Sequence, residues 1–307
     1  MYNPELVSGF FYGSKLKIMK VAIQGIEGSF HDEAVQKLFP NHEVELVKCE
    51  AFDHVTQRVK EGKADYGVLA IENTIAGSIL PNYNLIDADE FEIFDEVFLN
   101  IQMYLMALET ESIIDIFEVH SHPVALLQCK DYLRKFPPQF KIIEGKDTAS
   151  EAKRIRENNI RGVAAIAGKQ VADRFGLKIL DSNIQDIKEN ETRFVLIGKR
   201  GASFSKKVPN KATIKFQLGS EVGTLSKALQ LLAGFNINLT KIQSLPVLGV
   251  PWRYAFFVDL TFEETGNFYD AIEALDGQVK ELKIVGAYTQ NKENAPSELT
   301  NVMLDGK

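Results

Sequence analysis

Strand-like and helix-like segments alternate along the first part of the chain, and no other feature of the sequence constrains the fold as strongly. The segment "KVAIQG" (20–25) predicts a strand that runs into a turn at Gly25. A helix is expected from about Ser29, and "EVELVKC", "FDHVTQRVKEG" and "YGVLAIE" then predict a strand, a helix and a buried strand. Such alternation predicts a parallel sheet with helices on both faces.

A second alternating region follows the long apolar segment 91–108, which is suited to carry the chain from one lobe to another. Strand and helix patterns run from "IFEVHS" through "GVAAIAG", and the strand "TRFVLIG" (192–198) is expected to return to the first lobe. We therefore expect two α/β lobes, roughly 20–98 with 192–198, and 99–191. Two lobes joined by two crossing strands form a cleft, and clefts are where ligands usually bind.

The last third of the chain has the pattern of a separate unit. Gly, Ser, Lys and Pro concentrate in 199–210, which indicates a linker. Residues 211–289 follow the order strand-helix-strand-strand-helix-strand, which is the ferredoxin-like pattern. The ends of the chain are an N-terminal extension over 1–19 and a polar tail over 290–307, and the tail is expected to be disordered.

Composition restricts the classes of function that fit this chain. With 307 residues, 45% of them hydrophobic, it can form two or three domains, and its net charge of -7 argues against nucleic-acid binding. No apolar run approaches the roughly 20 residues of a membrane span, and the N-terminus lacks a signal-peptide pattern, so a cytoplasmic protein without a membrane partner is expected. Cys49 and Cys129 lack CxxC spacing and the histidines lack accompanying ligands, which predicts neither a disulfide nor a metal site. A small-molecule partner fits best.

Polar residues follow two predicted strands of the first lobe. In "GIEGSF" (25–30), Gly28 and Ser29 precede a helix whose N-terminus is suited to an anion, although a simple tight turn is the commoner explanation of such a motif. In "IENTIAGSI" (71–79), a strand delivers polar side chains just past its C-terminal end, where ligands bind in open α/β sheets. These side chains are Glu72, Asn73, Thr74 and Ser78. A routine polar loop explains this second motif equally well.

The second lobe and the returning strand supply further candidates. Ser121 is expected to cap the helix that Pro123 starts, and Gln128 projects from a similar face two turns later. Thr192 and Arg193 precede an apolar run, and polar residues there commonly only open a strand. Together the sites offer neutral donors and one guanidinium, which suits a small polyanion. They do not suit nucleophilic catalysis, because no histidine-activated Ser or Cys is evident.

The motifs occur together in the order of one known family. They are "GIEGSFHDEA", "GVLAIENTIAGSI", "HSHPVALLQC", "DTASEA", "AAIAGKQVADRFGLKIL", "IQDIKENETRF", "GTLSKAL" and "NLTKIQSLP". On these motifs, from about residue 20 to residue 289, the chain resembles the prephenate dehydratases that carry a C-terminal ACT regulatory domain. The resemblance implies a periplasmic-binding-protein-like, two-lobed α/β catalytic domain over 20–198, with its active site between the lobes. It also implies that prephenate is converted to phenylpyruvate, water and carbon dioxide without a cofactor.

The resemblance assigns roles to individual residues. The catalytic positions that it implies are Glu72, Asn73, Ser121, Gln128, Thr192 and Arg193. To these we add expected substrate contacts at Phe194, Ser78, Thr74, Gly28 and Ser29. Arg193 and backbone N–H groups are expected to hold the pyruvyl carboxylate, and Thr192 to assist departure of the ring hydroxyl. Whether Thr192 gives up a proton or orients a water stays open, and Glu72, if it is buried, is the alternative acid.

ACT domains of this family pair across a dimer and bind phenylalanine at the interface as feedback control. The matching positions in this chain are Gly223, Thr224, Leu225, Asn238, Leu239 and Ser244. Gln243 and Leu245 replace the usual Glu and Arg of a Glu-Ser-Arg-Pro motif, so we expect phenylalanine binding to be retained with altered affinity. A homodimer or homotetramer is expected.

Three alternative functions differ from this interpretation. Arogenate dehydratase acts on a substrate with an amino group where prephenate has a keto group. A non-catalytic amino-acid sensor would also use a cleft and an ACT domain, but the pair Thr192 and Arg193 argues against it. Fusion to a chorismate mutase is not expected, because the extension 1–19 is too short to hold that helical domain, so the enzyme is expected to be monofunctional.

Overall fold

The computed structural model describes residues 18–87, 91–202, 204, 207–247 and 249–290. Residues 1–17 of the extension, residues 291–307 of the tail and part of the linker lie outside the described residues, and so do the expectations made for them. Across the described ranges, no helix is both long and apolar enough to cross a bilayer.

The described residues form fifteen strands and nine α-helices. The strands, in chain order, are β1 (Met19–Gln24), β2 (Val44–Cys49), β3 (Tyr66–Asn73), β4 (Gly77–Ser78), β5 (Phe91–Asn100), β6 (Tyr104–Ala107), β7 (Glu118–Ser121), β8 (Lys141–Glu144), β9 (Val163–Ala167), β10 (Lys178–Asp181), β11 (Glu191–Lys199), β12 (Lys211–Gln217), β13 (Asn238–Pro246), β14 (Tyr254–Thr261) and β15 (Lys280–Tyr288). The helices are α1 (Phe30–Leu38), α2 (Phe52–Lys60), α3 (Leu80–Asp87), α4 (Pro123–Gln128), α5 (Lys130–Leu133), α6 (Thr148–Glu157), α7 (Lys169–Phe175), α8 (Thr224–Gly234) and α9 (Thr265–Asp276).

The first lobe is built on a six-stranded sheet with the path β2-β1-β3-β11-β5, and β4 pairs with β3. Strands β2, β1 and β3 are parallel, as the alternation of strands and helices predicts. Strand β11 runs antiparallel between β3 and β5. Helices α1 and α2 cover opposite faces of the sheet. Ile23 of β1 packs in a cluster with Val35 of α1, whereas the adjacent Ala22 packs with Val55 of α2.

The second lobe is built on a five-stranded sheet with the order β10-β6-β9-β7-β8. Strand β7 is parallel to β8 and β9, whereas β6 is antiparallel to β9 and β10. The long apolar segment 91–108 divides between the two sheets, because β5 belongs to the first and β6 to the second. The chain returns to the first sheet at β11. The predicted two-lobed α/β fold of the catalytic region is therefore confirmed.

The C-terminal unit is a four-stranded antiparallel sheet with the order β13-β14-β12-β15, and α8 and α9 contribute to its core. The chain order β12-α8-β13-β14-α9-β15 confirms the ferredoxin-like prediction. Strand β15 lies against β5 of the first lobe. At Gly286 the approach is so close that a Cβ atom would overlap the carbonyl oxygen of Ile93. The unit is therefore packed directly on the sheet that contains β3 and β11.

Candidate active site

A β-bulge places Asn73 beside Thr192. In the register of β3 and β11, Thr192 lies opposite Asn73. One residue of β3 is then skipped, so that Phe194 lies opposite Ala70. Strict alternation along β3 from Ala70 would turn Asn73 away from the face that holds Phe194. The extra residue reverses this direction, and Asn73 and Thr192 project from one face at the end of β3.

The side-chain amide of Asn73 orients the hydroxyl of Thr192. Asn73 Nδ2 donates to Thr192 Oγ1 at 2.9 Å and to Asn190 Oδ1 at 2.6 Å. Its Oδ1 accepts from the backbone N–H groups of Ile75 and Ala76 at 3.0 and 2.8 Å. These bonds fix which end of the amide faces the threonine. Since the threonine oxygen already accepts a hydrogen, its own hydrogen is left to donate to a ligand.

Asn190 links this pair to the second lobe, and the sequence interpretation did not include it. It is fully buried at 0% exposure, and its Nδ2 donates to Gln128 Oε1 at 3.3 Å. A chain of amides therefore runs from the end of α4 through Asn190 to Asn73. Although Asn190 directly precedes the segment "ETRF", its partners are 117 and 62 residues away. No local spacing could have identified it.

The prediction that Ser121 caps α4 is wrong. The cap is His122, whose Nδ1 accepts from the N–H of Val124 at 3.2 Å. Ser121 ends β7 at 0% exposure, and its Oγ donates to the carbonyl of Ile166 at 2.6 Å. A serine that is closed off from solvent and bonded to the neighbouring strand supports the second sheet. Of the two candidates in this lobe, only Gln128 joins the chain of amides.

Gly28 and Ser29 form a tight turn whose polar groups have internal partners. The Gly28 N–H donates to Asp32 Oδ2 at 2.7 Å, and Ser29 Oγ accepts from the Asp32 N–H at 3.3 Å. Asp32 also places a negative charge in the first turn of α1, where an anionic ligand would be repelled. The contacts therefore favour the tight turn over the anion site. A Cβ on Gly28 would lie only 3.2 Å from the Cα of Val171 in α7, so the turn abuts the second lobe.

Thr74 and Phe194 support the site without lining it. Thr74 Oγ1 accepts from the N–H of Glu191 at 2.9 Å, which ties the end of β3 to the start of β11. Phe194 is 1% exposed, and its ring packs against His31 with 5.0 Å between the ring centroids. Because Phe194 lies in the core, the structure does not place it at a substrate, contrary to the prediction. Burial lowers the pKa of His31 to about 4, so this imidazole is neutral at pH 7.

Glu72 and Ser78 face the C-terminal unit. Lys241 Nζ of β13 lies 2.8 Å from Glu72 Oε2 and donates to Ser78 Oγ at 3.0 Å. The Glu72 side chain is 38% exposed, so it does not meet the condition of burial on which its role as the alternative acid depended. These contacts do not support Glu72 as the proton donor. They also bind the Ser78 hydroxyl to Lys241 of the C-terminal unit, outside the cleft between the lobes.

Arg193 lies in a buried ionic network between the first lobe and the C-terminal unit. Its Nε donates to Glu96 Oε2 at 2.7 Å, its Nη2 donates to Tyr288 Oη at 2.9 Å, and its Nη1 donates to Asp259. Lys211 Nζ donates to both carboxylate oxygens of Glu96, at 2.7 and 2.9 Å. The side chains of Arg193, Glu96 and Lys211 are 4%, 0% and 5% exposed.

These contacts correct the prediction that Arg193 holds a substrate carboxylate. Successive residues of a strand project to opposite faces, so Arg193 points away from the side that holds Thr192. Burial alone would lower the pKa of Arg193, but Asp259, Tyr288 and Glu96 hold that pKa well above its usual value. For Asp259 the directions are reversed. Burial alone would raise its pKa, but Arg193 holds that pKa below its usual value. The guanidinium is therefore a permanent cation that is already paired.

Two cavities border these elements. A groove of about 850 Å³ lies between α1 and β2 on one side and α7 on the other, and it contains Gly28 among the predicted site residues. A cavity of about 440 Å³ lies between the first lobe and the C-terminal unit, and the predicted site residues that line it, beside Lys241, are Glu72, Thr74 and Arg193. Neither is lined by Asn73 or Thr192, so cavity size does not locate the chemistry. In the part of the chain that the structure describes, no group of three or more His, Cys, Asp or Glu side chains could hold a metal ion.

Two sequence comparisons identify related proteins. The family model described as prephenate dehydratase matches residues 21–202. The chain is also 34% identical over 294 residues to a protein of Arabidopsis thaliana named arogenate dehydratase/prephenate dehydratase 2, chloroplastic. That alignment covers 92% of this chain and 75% of the Arabidopsis protein.

Solved structures share the architecture. Prephenate dehydratase from Arthrobacter aurescens, in complex with L-Phe, has a TM-score of 0.78 and 25% identity, covering 92% of this chain and 93% of that one. A structure described as GqqA, a novel type of quorum quenching acylase, has a TM-score of 0.78 and 26% identity, covering 89% of this chain and 99% of that one. One fold can carry more than one activity, so the sequence family decides the assignment. On the family model and the Arabidopsis relative, the chain belongs to the prephenate dehydratase family and is a lyase.

Proposed function

We propose that the protein converts prephenate to phenylpyruvate, water and carbon dioxide. Family membership supports this activity, and the observation that carries it at the level of residues is the hydrogen bond from Asn73 to Thr192. As carbon dioxide leaves, the electron pair of its bond to the ring enters the ring. The ring C–O bond breaks with its electron pair on the oxygen. That oxygen takes up one proton, so the products are water and an aromatic ring.

Thr192 is the proposed donor to the leaving oxygen. Its Oγ1 accepts from Asn73, which leaves the hydroxyl hydrogen free for the substrate and polarises the hydroxyl toward donation. If the proton is transferred completely, solvent returns it to Thr192 before the next cycle. A positioned acid typically contributes about 10²–10⁴ in rate. A single preorganised donor typically contributes about 3–4 kcal/mol to stabilisation of the transition state.

Gln128 is the proposed second-lobe donor to the substrate. Because its Oε1 accepts from Asn190, its Nε2 is the group that it offers a ligand. Arg193 is not proposed for this role, since its guanidinium is taken up by Glu96, Asp259 and Tyr288. The donors proposed for the substrate, Thr192 and Gln128, are therefore neutral, and aromatisation of the ring supplies the driving force.

The experiment that tests this proposal is a product assay with prephenate and no added cofactor. Phenylpyruvate and carbon dioxide are expected in equal amounts. A folded protein that forms neither phenylpyruvate from prephenate nor phenylalanine from arogenate would contradict the proposal and would favour a binding protein. Arogenate assayed in parallel decides between the two dehydratase activities, both of which the name of the Arabidopsis relative contains. A higher kcat/KM with arogenate would reassign the substrate while leaving the reaction type unchanged.

Phenylalanine is proposed as an inhibitor that binds the C-terminal unit. The Arthrobacter relative was solved in complex with L-Phe, which supports a small-molecule ligand. Gly223 precedes α8 with a φ of 88°, a conformation that suits glycine. Asn238 and Leu239 open β13, and Ser244 lies near its end. Thr224 and Leu225, in the first turn of α8, complete the proposed set.

A second copy of the chain is the proposed partner for this site. Gly223, Asn238 and Ser244 are exposed, and β13 is an edge strand of its sheet. An exposed site at a sheet edge is suited to be closed by a symmetry-related copy, so a homodimer or homotetramer is proposed. A cytoplasmic location is proposed from the sequence, although the name of the Arabidopsis relative places that protein in the chloroplast.

Two departures from the family motif affect the proposed affinity. Leu245 is 3% exposed and packs in a cluster with Phe257 and Ile93, so it contributes to the contact between the C-terminal unit and the first lobe. It cannot supply the positive charge that the usual arginine provides. Gln243 donates to the carbonyl of Ser244 at 2.9 Å. Calorimetry with phenylalanine is expected to show binding, and turnover is expected to fall on its addition. No heat together with unchanged turnover would contradict the regulatory proposal.

A further inference from the structure

The hairpin formed by β3 and β4 carries Asn73 and is contacted from outside by one side chain of the C-terminal unit. Lys241 Nζ lies 2.8 Å from Glu72 Oε2 and donates to Ser78 Oγ at 3.0 Å. Glu72 and Ser78 lie opposite each other in the hairpin register. One ammonium group on β13 therefore contacts both strands of the hairpin.

The inside of the same hairpin fixes the amide of Asn73. Its Oδ1 accepts from the N–H groups of Ile75 and Ala76 in the turn. The N–H of Ile79 donates to the carbonyl of Ile71 at 2.9 Å, which closes the hairpin. The Asn73 side chain is thus bound to the turn by these bonds. A displacement of the hairpin changes the separation of Asn73 Nδ2 from Thr192 Oγ1.

Lys241 is held firmly enough to set the position of the hairpin. Its side chain is 13% exposed, and its Nζ lies 5.3 Å from the centre of the Tyr83 ring. Burial lowers the pKa of Lys241, and the pairing with Glu72 opposes that change. A partly buried ammonium group needs its partners, because removal from water is unfavourable unless a carboxylate compensates. The contact therefore differs from a pair between two mobile surface side chains.

We propose that Lys241 is a positioning residue for Thr192. Through its contacts with Glu72 and Ser78, it holds the hairpin where Asn73 donates to the threonine. The proposal deepens the proposed function and rests on it for its activity measurement. Lys241 lies on β13 with Asn238 and Ser244, so a ligand at those two residues has a short structural route to the hairpin.

The test compares two lysines that both pair with the first lobe. Lys215 of β12 pairs with Asp87 at the end of α3, away from the hairpin, and its side chain is 15% exposed. We expect Lys241→Met to lower kcat about tenfold or more with KM within about twofold of the parent, because an interaction that matters only in the transition state is weakened. We expect Lys215→Met to stay within about twofold of the parent in both constants.

Rescue and partial variants separate positioning from a general loss of stability. Lys241→Arg keeps a cation within reach of Glu72 and is expected to recover most of kcat. Ser78→Ala removes one of the two contacts of Lys241 and leaves the pairing with Glu72. Its kcat is expected to fall less than that of Lys241→Met, and it tests the contact even if Lys241→Met folds poorly. Equal kcat values for Lys241→Met and Lys215→Met, whether parental or lowered, would overturn the proposal.

Hydrogen exchange of the hairpin provides a readout that needs no substrate. The amides of Ile75 and Ala76 report directly on their bonds to Asn73 Oδ1. Faster exchange of these amides is expected in Lys241→Met and not in Lys215→Met. Unchanged exchange in Lys241→Met would contradict positioning whatever the activity. If the parent forms no phenylpyruvate, the proposed function fails, and hydrogen exchange alone decides whether Lys241 positions the hairpin.

Discussion

Asn73 and Thr192 lie opposite each other on β3 and β11, and the amide of Asn73 donates to the threonine hydroxyl at 2.9 Å. This bond has a direction that matters chemically, because it leaves the hydroxyl hydrogen of Thr192 for a ligand. The neighbouring residues Glu72 and Arg193 lie opposite each other in the same register and contact the C-terminal unit. The end of this strand pair therefore presents its proposed catalytic residues on one face and its contacts with the second unit on the other.

Reversing the bond between Asn73 and Thr192 should impair the reaction. Asn73→Asp keeps the shape of the side chain but replaces the donor by a carboxylate oxygen. The threonine hydrogen then points to the carboxylate, so its donation to the substrate is lost. We expect phenylpyruvate formation to fall by about 10²–10³, the range measured for loss of one preorganised donor. Steady-state assays and a thermal unfolding curve check this, and a folded Asn73→Asp variant with parental kcat would refute the assigned hydrogen-bond direction.

Removing the buried cation at Arg193 should affect stability more than substrate affinity. Arg193→Met leaves the carboxylates of Glu96 and Asp259 without this partner, and breaking a buried ion pair typically costs about 3–5 kcal/mol of unfolding free energy. The matched control is Arg200→Met, because Arg200 is exposed and donates to the carbonyl of Ile284 at 3.1 Å. Its expected change is within about 0.5 kcal/mol.

Urea unfolding and substrate kinetics on the two arginine variants distinguish the two roles of Arg193. A structural role predicts a lower unfolding midpoint and a KM for prephenate within about twofold of the parent among folded molecules. A parental unfolding midpoint combined with a KM raised more than tenfold would instead show that Arg193 binds the substrate.

Burial of His31 should make the protein sensitive to acid. Its pKa is about 4 in the folded protein against 6.5 as the usual value, so the unfolded chain binds the proton more tightly than the folded one. The contribution of His31 to the unfolding free energy is therefore fully present above about pH 6.5. It decreases by about 1.4 kcal/mol per pH unit as the pH falls toward 4. Between pH 7.5 and pH 4.5, the unfolding free energy of His31→Phe should therefore fall less than that of the parent. The exposed His54 supplies the control, and an identical pH dependence for His31→Phe and His54→Gln would contradict the assignment.

The fold could be predicted because its signals are local. Apolar runs and helix starts recur along both lobes, and the C-terminal order of elements is readable without any long-range contact. The residue types at the candidate site could also be read from the sequence, since Asn73 ends β3, Gln128 ends α4 and Thr192 is the second residue of β11. Those three residues are the ones that the chain of amides joins.

The directions of the side chains could not be predicted from the sequence. Alternation shows that Thr192 and Arg193 project to opposite faces, but which face meets the cleft depends on where the C-terminal unit packs. The direction of Asn73 depends on a skipped residue in the register of β3, and no residue type there announces a bulge. Ser121 and His122 were both able to cap α4, and the buried bond from Ser121 to Ile166 decided between them.

The most direct test of the account is phenylpyruvate formation by Thr192→Val, which keeps the shape of the side chain and removes its hydroxyl. Thr192→Ser, which keeps the hydroxyl, is the matched control. The account predicts that Thr192→Val loses about 10²–10⁴ in kcat and that Thr192→Ser retains it within about tenfold. A folded Thr192→Val variant whose kcat stays within about tenfold of the parent would contradict the claim that Thr192 donates to the leaving oxygen.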